Sequence, residues 1–199
     1  MSPSKASFIA LSALFASAAA FRASNATEAP SKTSPDIYLP MTLEAGTWDA
    51  EVTFYTEGKP PAHDTGVQVN ELLGNGHWIT NDFRIAASKE FPAYQGHGVW
   101  GYDTVAKTYV DTWVDTNDLS VRTDYGFWQA DKQTMTWSSK QNDGNGHFVD
   151  YRMVEEFKGD KRTLAIYQLG LALPVQHLLI NMDFTRRQPG PAGKANAPK

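Results

Sequence analysis

Residues 109–115 read Tyr-Val-Asp-Thr-Trp-Val-Asp, and this stretch alternates strictly between two kinds of side chain. Successive side chains of an extended chain point to opposite faces, so a period of two predicts a β-strand. One face carries the aromatic and acidic residues, and the other carries Val and Thr. The aromatic and acidic face is favoured as the inner one because Tyr and Trp bury more area than Val and Thr. With the opposite orientation, Asp111 and Asp115 are ordinary solvent-facing charges.

The same period of two continues on both sides of this stretch. Apolar residues occupy every second position from Trp48 to Phe54 near the start of the chain, and from Leu178 to Phe184 near its end. Helical periodicity is nearly absent between these two segments. We therefore predict ten strands, which are the two terminal ones and eight near residues 65–73, 77–86, 94–102, 107–115, 119–127, 133–139, 147–157 and 162–169.

Turn residues separate the predicted strands. Gly74-Asn75-Gly76, residues 143–146 and Lys158-Gly159-Asp160 supply residues that tolerate a positive φ where strands reverse. Each strand then pairs with its neighbour in sequence. A sheet of this kind has two exposed edges unless it closes, so an all-β, antiparallel up-and-down barrel of roughly ten strands is favoured, and a two-sheet sandwich is the alternative.

The two ends of the chain have a different composition. An apolar, Ala-rich run at residues 6–21 follows a single Lys and ends in small residues, which predicts a signal peptide over residues 1–20 and a secreted or periplasmic protein. That run is too short to remain as a stable membrane span. Pro, Ser and Thr predict a disordered linker over residues 21–41, ahead of the barrel domain at 42–187, and a disordered tail follows at 188–199.

Composition excludes several classes of function. Eighteen Lys and Arg against 22 Asp and Glu give a formal charge of −4, which argues against a nucleic-acid partner. The chain has no Cys, so disulfides, cysteine-ligated metals and thiol nucleophiles are excluded. Its five His residues show no short metal-binding spacing. We expect neither a metal nor a cofactor, and the sequence leaves the oligomeric state open.

Two distant segments are expected to meet if the barrel closes. Gly46-Thr47-Trp48 begins the first strand, and Arg186-Arg187 ends the last. Because these strands are neighbours in a closed barrel, an Arg guanidinium is expected to lie on the indole face of Trp48 and to seal that end. This pairing of Gly-x-Trp with a late Arg resembles the calycin superfamily, which includes the lipocalins and the fatty-acid-binding proteins.

A more specific resemblance comes from residues 94–103 (Tyr-Gln-Gly-His-Gly-Val-Trp-Gly-Tyr-Asp) and 107–115. Together with residues 70–74, 78–79 and 182–187, they are similar to the DUF1579 family of calycin-like barrels. The resemblance runs from about residue 43 to 187 and implies the fold but almost no chemistry. The sequence departs from the family at the long apolar segment 169–174, and at Asn181, where an acidic residue is common.

A barrel of this size has room for one small ligand. We therefore predict a protein that binds a small, partly polar aromatic or lipid-like ligand, and a fully packed structural barrel is one alternative. The ligand is expected to contact mainly aromatic and apolar side chains, namely Trp48, Phe54, Ile79, Phe83, Tyr109, Trp113, Asp115, Tyr125 and Met182.

A second alternative is a cofactor-free isomerase, cyclase or lyase in the same cavity. An interior Asp111 needs a hydrogen-bonded partner, and His97 or His77 is expected to provide it and to act as the base. Gly96 and Gly98 flank His97, and they predict either a close approach of a ligand or backbone, or a bulge in the barrel wall.

Further polar residues lie on other predicted strands. Cross-strand charge pairing on the outer face is the favoured interpretation for all of them, because opposed charges are common on sheet surfaces. The residues are Asn81, Asp82, Arg84, Asp150, Tyr151 and Arg152.

Overall fold

The computed structural model describes residues 36–74, 76–89, 91–118, 120–142, 147–170 and 176–188. The predicted signal peptide, the linker before residue 36 and the tail after residue 188 lie outside these ranges. So do the predicted turn at 143–146 and residues 171–174 of the apolar segment 169–174 that departs from the family. One short helix precedes the sheet, and the described residues form ten strands. They are α1 (Leu39–Glu44), β1 (Gly46–Phe54), β2 (Ala62–Leu73), β3 (Trp78–Ile85), β4 (Tyr94–Asp103), β5 (Thr108–Asp115), β6 (Arg122–Gln129), β7 (Thr134–Asn142), β8 (Phe148–Lys158), β9 (Lys161–Leu169) and β10 (Gln176–Arg186).

The strands close into one antiparallel barrel. Each strand pairs with its neighbour in sequence, and β1 pairs with β10 from Trp48 opposite Arg186 to Phe54 opposite Ile180. Closure removes the two exposed edges that a sheet of sequentially paired strands would otherwise have. The prediction of an up-and-down barrel is confirmed, and the sandwich alternative is wrong.

Glycines make room for large aromatic rings inside the barrel. Gly98 lies opposite Trp113 on the neighbouring strand, and Gly126 lies opposite Trp137. A Cβ added to either glycine would lie 2.6 Å from the ring of its partner. Each ring therefore lies across the glycine backbone. The register of β4 is continuous through Gly96 and Gly98, so the expected bulge is absent, and these glycines accommodate Trp113 instead.

The helix α1 closes one end of the barrel. Met41 is fully buried against a cluster that includes Ile79, Trp100 and Met135, and the hydroxyl of Tyr109 donates to the carbonyl of Ile37 at 2.8 Å. The helix begins at Leu39, inside the predicted linker. Six residues are too few to show a helical period in the sequence, although a Pro in the first turn is typical of a helix start.

The expected arginine seal lies at the same end. The guanidinium of Arg186 is 4.0 Å from the ring centroid of Trp48 and donates to the carbonyl oxygens of Leu43 and Ala45. Gly46 adopts a φ of 127°, and a side chain there would collide with Arg186. In the Gly-x-Trp motif, Gly46 thus leaves room for Arg186 and Trp48 packs against its guanidinium. This contact fixes the closed end of the barrel.

Candidate functional site

A cavity of about 880 Å³ occupies the barrel interior and reaches the end opposite α1. At this open end the odd-numbered strands end and the even-numbered strands begin. The lining there includes Phe54 at the end of β1, Asp115 at the end of β5 and Arg122 at the start of β6. The interior is therefore not completely packed. Its closed end is the floor, and its open end is the rim.

The floor is built around a buried arginine. Arg162 of β9 is only 2% exposed, and its Nη1 donates to Glu44 Oε1 at 2.9 Å and to Glu155 Oε1 at 2.5 Å. Its Nη2 donates to Gln68 Oε1, and its guanidinium stacks 4.0 Å from the ring centroid of Phe184. A buried charge requires such compensation, so Arg162 and its partners form one network.

Glu44 joins this network from the last residue of α1. Its Oε1 also accepts from Asn81 and Asn70, and it is 3% exposed. Burial, and then the charge of Glu155, raise the pKa of Glu44 to about 8 despite the opposing charge of Arg162. Within the described part of the chain, no group hydrogen-bonds to Glu44 Oε2 or Asn81 Oδ1, and both residues line the cavity.

A second pair of carboxyl groups lies beside this network. Asp111 of β5 is paired in register with Asp124 of β6, and Arg122 Nε donates to Asp124 Oδ2 at 2.8 Å. Burial, and then the charge of Asp124, raise the pKa of Asp111 to about 7. The charge of Asp111 also raises the pKa of Glu44, and that of Glu155 raises the pKa of Asp111. The carboxyl groups of the Arg162 network and those of the Asp111–Asp124 pair therefore repel each other across one floor.

Aromatic and apolar side chains form the wall between floor and rim. Trp113 Nε1 donates to Asp115 Oδ2 at 3.1 Å, and the hydroxyl of Tyr94 donates to the same oxygen at 3.2 Å. The other oxygen of Asp115 accepts the backbone amides of Asn117 and Asp118. Burial raises the pKa of Tyr94 to about 12, so its hydroxyl keeps its proton. Asp115 thus holds both the indole and the rim loop in place.

The structure brings only part of the predicted lining together. Six of the residues selected from the sequence border the cavity, namely Phe54, Phe83, Asp111, Trp113, Asp115 and Met182. Three others are buried among core side chains and do not border it, namely Trp48, Ile79 and Tyr109. Tyr125 is 58% exposed, so its predicted interior position is wrong. Its neighbours Asp124 and Gly126 face inward instead, which follows from the pairing of Gly126 with Trp137.

Neither candidate histidine lies in the cavity. The side chain of His97 is 49% exposed on the outer wall, where its Nδ1 lies 3.1 Å from Asp82 Oδ1 of the next strand. His77 is exposed and stacks on Tyr38 with ring centroids 4.4 Å apart. The prediction that His97 and Asp111 share the interior is therefore wrong. The glycines on either side of His97 face inward to admit Trp113, which turns the histidine outward.

The sequence interpretation missed most of the polar floor. Asn81 and Tyr151 line the cavity, so their predicted outer-face positions are wrong, whereas Asp82 pairs outside with His97 and Asp150 pairs with Lys140. Three of the missed residues alternate with apolar side chains along their strands, which places them on the inner face. Glu155 alternates with Met153 and Phe157, and Asn81 alternates with Ile79 and Phe83. Arg162 likewise alternates with Leu164 and Ile166, whereas Glu44, at the end of a six-residue helix, gave no signal of this kind.

Comparisons with known proteins agree with the fold. The family model described as "Protein of unknown function (DUF1579)" matches residues 41–186. The chain belongs to the DUF1579 family. Among curated proteins, none matches this DUF1579 chain. A solved structure similar to it is the crystal structure of Rv2717c from M. tuberculosis, with a TM-score of 0.59 and 8% sequence identity over 77% of this chain and 98% of that one. At this identity, the similarity concerns the fold alone.

The described residues contain neither a membrane-spanning helix nor a metal-binding cluster of side chains. Helix α1 has only six residues, and no described helix has the length and apolar character needed to cross a membrane. In the same ranges, no group of three or more His, Asp or Glu side chains is arranged to hold a metal ion.

Proposed function

We propose that this DUF1579 protein binds a small, partly polar aromatic or lipid-like ligand inside its barrel, as a secreted or periplasmic protein. The cavity of about 880 Å³ carries this proposal. Ligand pockets typically measure about 300–1,000 Å³ and combine apolar walls with a few well-placed polar groups. This cavity has both features, and the Ala-rich N-terminal run supports the proposed location.

The geometry suggests how such a ligand lies. Its apolar or aromatic body packs against Trp113, Phe83 and Met182 on the wall. Its polar end reaches the floor, where Glu44 and Asn81 offer acceptor oxygens. Contact with the wall supplies area for binding, and hydrogen bonds at the floor fix the orientation.

Native mass spectrometry with a cavity-blocking variant tests this proposal. The protein is purified from its own source, and its native and denatured masses are compared with those of Met182→Trp. Met182 lines the cavity, so the larger indole fills the space where the ligand lies. We expect a retained small molecule in the parent protein and its loss from the variant.

The matched control places the same indole on the outer wall. Val114 alternates with Trp113 on β5 and is 44% exposed. Val114→Trp should therefore retain the molecule that Met182→Trp loses. A molecule that persists equally in both variants is bound outside the cavity and refutes the proposal. The denatured mass also reports whether residues 1–20 have been removed.

One observation favours a second candidate, which is a cofactor-free isomerase, cyclase or lyase. Asp111 borders the cavity, and its pKa of about 7 suits an acid or base near neutral pH. In this version the carboxyl group replaces the histidine as the proton-transfer residue. Turnover of an identified ligand that is abolished in Asp111→Asn, while Asp82→Asn remains active, would support it. Equal turnover in both variants would refute it.

A further inference from the structure

The charges that line the cavity are strongly unbalanced. Two guanidinium groups, those of Arg122 and Arg162, face six carboxyl groups. The carboxyl groups belong to Glu44, Asp64, Asp111, Asp115, Asp118 and Glu155. Asp124 is fully buried directly behind this lining and adds a seventh. The field inside the barrel therefore favours a positive charge.

Both arginines already have carboxylate partners. Arg162 is bound by Glu44 and Glu155, and Arg122 is bound by Asp124. An anionic ligand that took the place of one of these carboxylates would leave it buried without a partner, which is costly, and the one buried guanidinium atom without a partner among the described residues is Arg162 Nε. This arrangement disfavours a carboxylate or phosphate as the polar end of the ligand.

Two buried oxygen atoms at the floor lack a hydrogen-bond donor among the described residues. Glu44 is 3% exposed and Asn81 is 4% exposed, yet Glu44 Oε2 and Asn81 Oδ1 receive no hydrogen bond from the described residues. Asn81 Oδ1 can only accept a hydrogen bond, and Glu44 Oε2 can only accept one when Glu44 is ionised, so the partner of an ionised floor is an N–H or O–H group. A buried carboxylate oxygen left unpaired costs free energy that a donating ligand recovers.

The wall also suits a cation. Trp113, Tyr94 and Phe83 line the cavity above the floor, and the faces of aromatic rings attract positive charge. The ring of Trp113 already has one guanidinium, that of Arg122, 5.6 Å from its centroid. The same rings provide the apolar contact that the body of a ligand requires.

We propose that the ligand of this cavity is an organic cation, with an aromatic or aliphatic body and a protonated amine or amidine that binds at Glu44 and Asp111. This inference rests on the proposed ligand-binding function and names its ligand class. When the ligand binds, the floor carboxyls lose their protons, and the positive charge of the amine balances the negative charge of the carboxylates. The groups that face these two carboxyls are Glu155 and Arg162 together with Asp124 and Arg122.

Binding should therefore release protons. Burial and neighbouring carboxylates raise the pKa of Glu44 to about 8 and that of Asp111 to about 7, so the empty floor holds protons near neutral pH. A cation favours the ionised carboxyls, and its affinity should increase from about pH 6 to about pH 8.5. The affinity of a neutral ligand with the same body should not increase.

Displacement of a neutral dye by matched probes tests the inference. The dye N-phenylnaphthylamine reports whether the cavity is occupied, and the probes are naphthylethylamine, naphthylethanol and naphthylpropionate. We expect the amine to displace the dye at concentrations about tenfold lower than the alcohol, and the propionate to be weakest. Asp111→Asn should remove most of this advantage, so that the amine and the alcohol displace the dye at similar concentrations. Asp82→Asn, on the outer wall, should behave as the parent protein does.

Each outcome distinguishes the inference from the function on which it rests. If the dye binds the parent but not Met182→Trp, and the amine is no better than the alcohol or the propionate, the cation is refuted and the cavity stands. If the dye binds both proteins equally or neither of them, the proposed function fails together with the inference. Dye binding by Asp111→Asn shows that this variant is folded.

Discussion

Replacing Asp111 by Asn should stabilise the protein at alkaline pH. The carboxyl group lies against Asp124 in a largely buried position, and both effects raise its pKa from 3.8 to about 7. The folded state therefore binds this proton more tightly than the unfolded state does. The protonated Asp111 makes its full contribution to the free energy of unfolding below about pH 4, and this contribution is lost as the pH rises through about 7. Asn keeps the shape of the protonated acid and removes the charge.

The size of the effect follows from the shift in pKa. About three pH units, at about 1.4 kcal/mol each, set an upper limit of roughly 4 kcal/mol. Solvent inside the cavity screens part of the repulsion between Asp111 and Asp124, so we expect a gain of about 2–4 kcal/mol for Asp111→Asn at about pH 8. At about pH 4 the variant and the parent should differ by less than about 1 kcal/mol.

Urea unfolding at about pH 4 and about pH 8 measures both values. Asp183→Asn is the matched control, because Asp183 is exposed on β10, and its substitution should change the free energy of unfolding by less than about 1 kcal/mol at either pH. The reasoning is refuted if Asp111→Asn is less stable than the parent at the higher pH. It is also refuted if the difference between variant and parent is the same at both values.

Three further substitutions test the packing and the floor by urea unfolding. Arg186→Ala removes the guanidinium from Trp48 and should cost about 2–3 kcal/mol, whereas the exposed Arg187→Ala should cost much less. Equal costs would contradict the seal. Gly98→Ala places a Cβ 2.6 Å from the Trp113 ring and should cost about 1–3 kcal/mol, and an unchanged stability would show that the ring moves freely. Arg162→Met leaves Glu44 and Glu155 without their cation and should cost about 3–5 kcal/mol, and a smaller loss at about pH 4 than at about pH 8 should confirm the electrostatic cause.

The fold was predictable from local patterns. Alternation fixes which segments are strands, and turns of Gly, Asn and Asp fix where they reverse, so the order of the ten strands follows. Closure then places Arg186 beside Trp48, although the two lie far apart in sequence. The helix α1 was missed because its six residues bury Met41 by tertiary contact rather than by a repeating pattern.

The site was less predictable because alternation does not say which face is inside. The orientation of β5 was correct, since Trp113 and Asp111 line the cavity. On β4 and β6 the glycines face inward to accommodate Trp113 and Trp137, and this turns His97 and Tyr125 outward. A glycine opposite a large aromatic residue is visible only after the strands have been paired.

Charged residues at interior positions were the second difficulty. Burying Arg or Glu is unfavourable unless partners compensate it, so charged residues on a strand are normally assigned to the outer face. Arg162 is buried because Glu44, Glu155 and Gln68 converge on it from other elements. That convergence depends on the closed barrel, and no single strand shows it.

A crystal structure of the protein purified from its own source tests the central claim most directly. The account predicts a small molecule inside the barrel, with its body against Trp113 and its polar end within hydrogen-bond distance of Glu44. An interior filled by the protein's own side chains, or a molecule bound only on the outer wall, would contradict it.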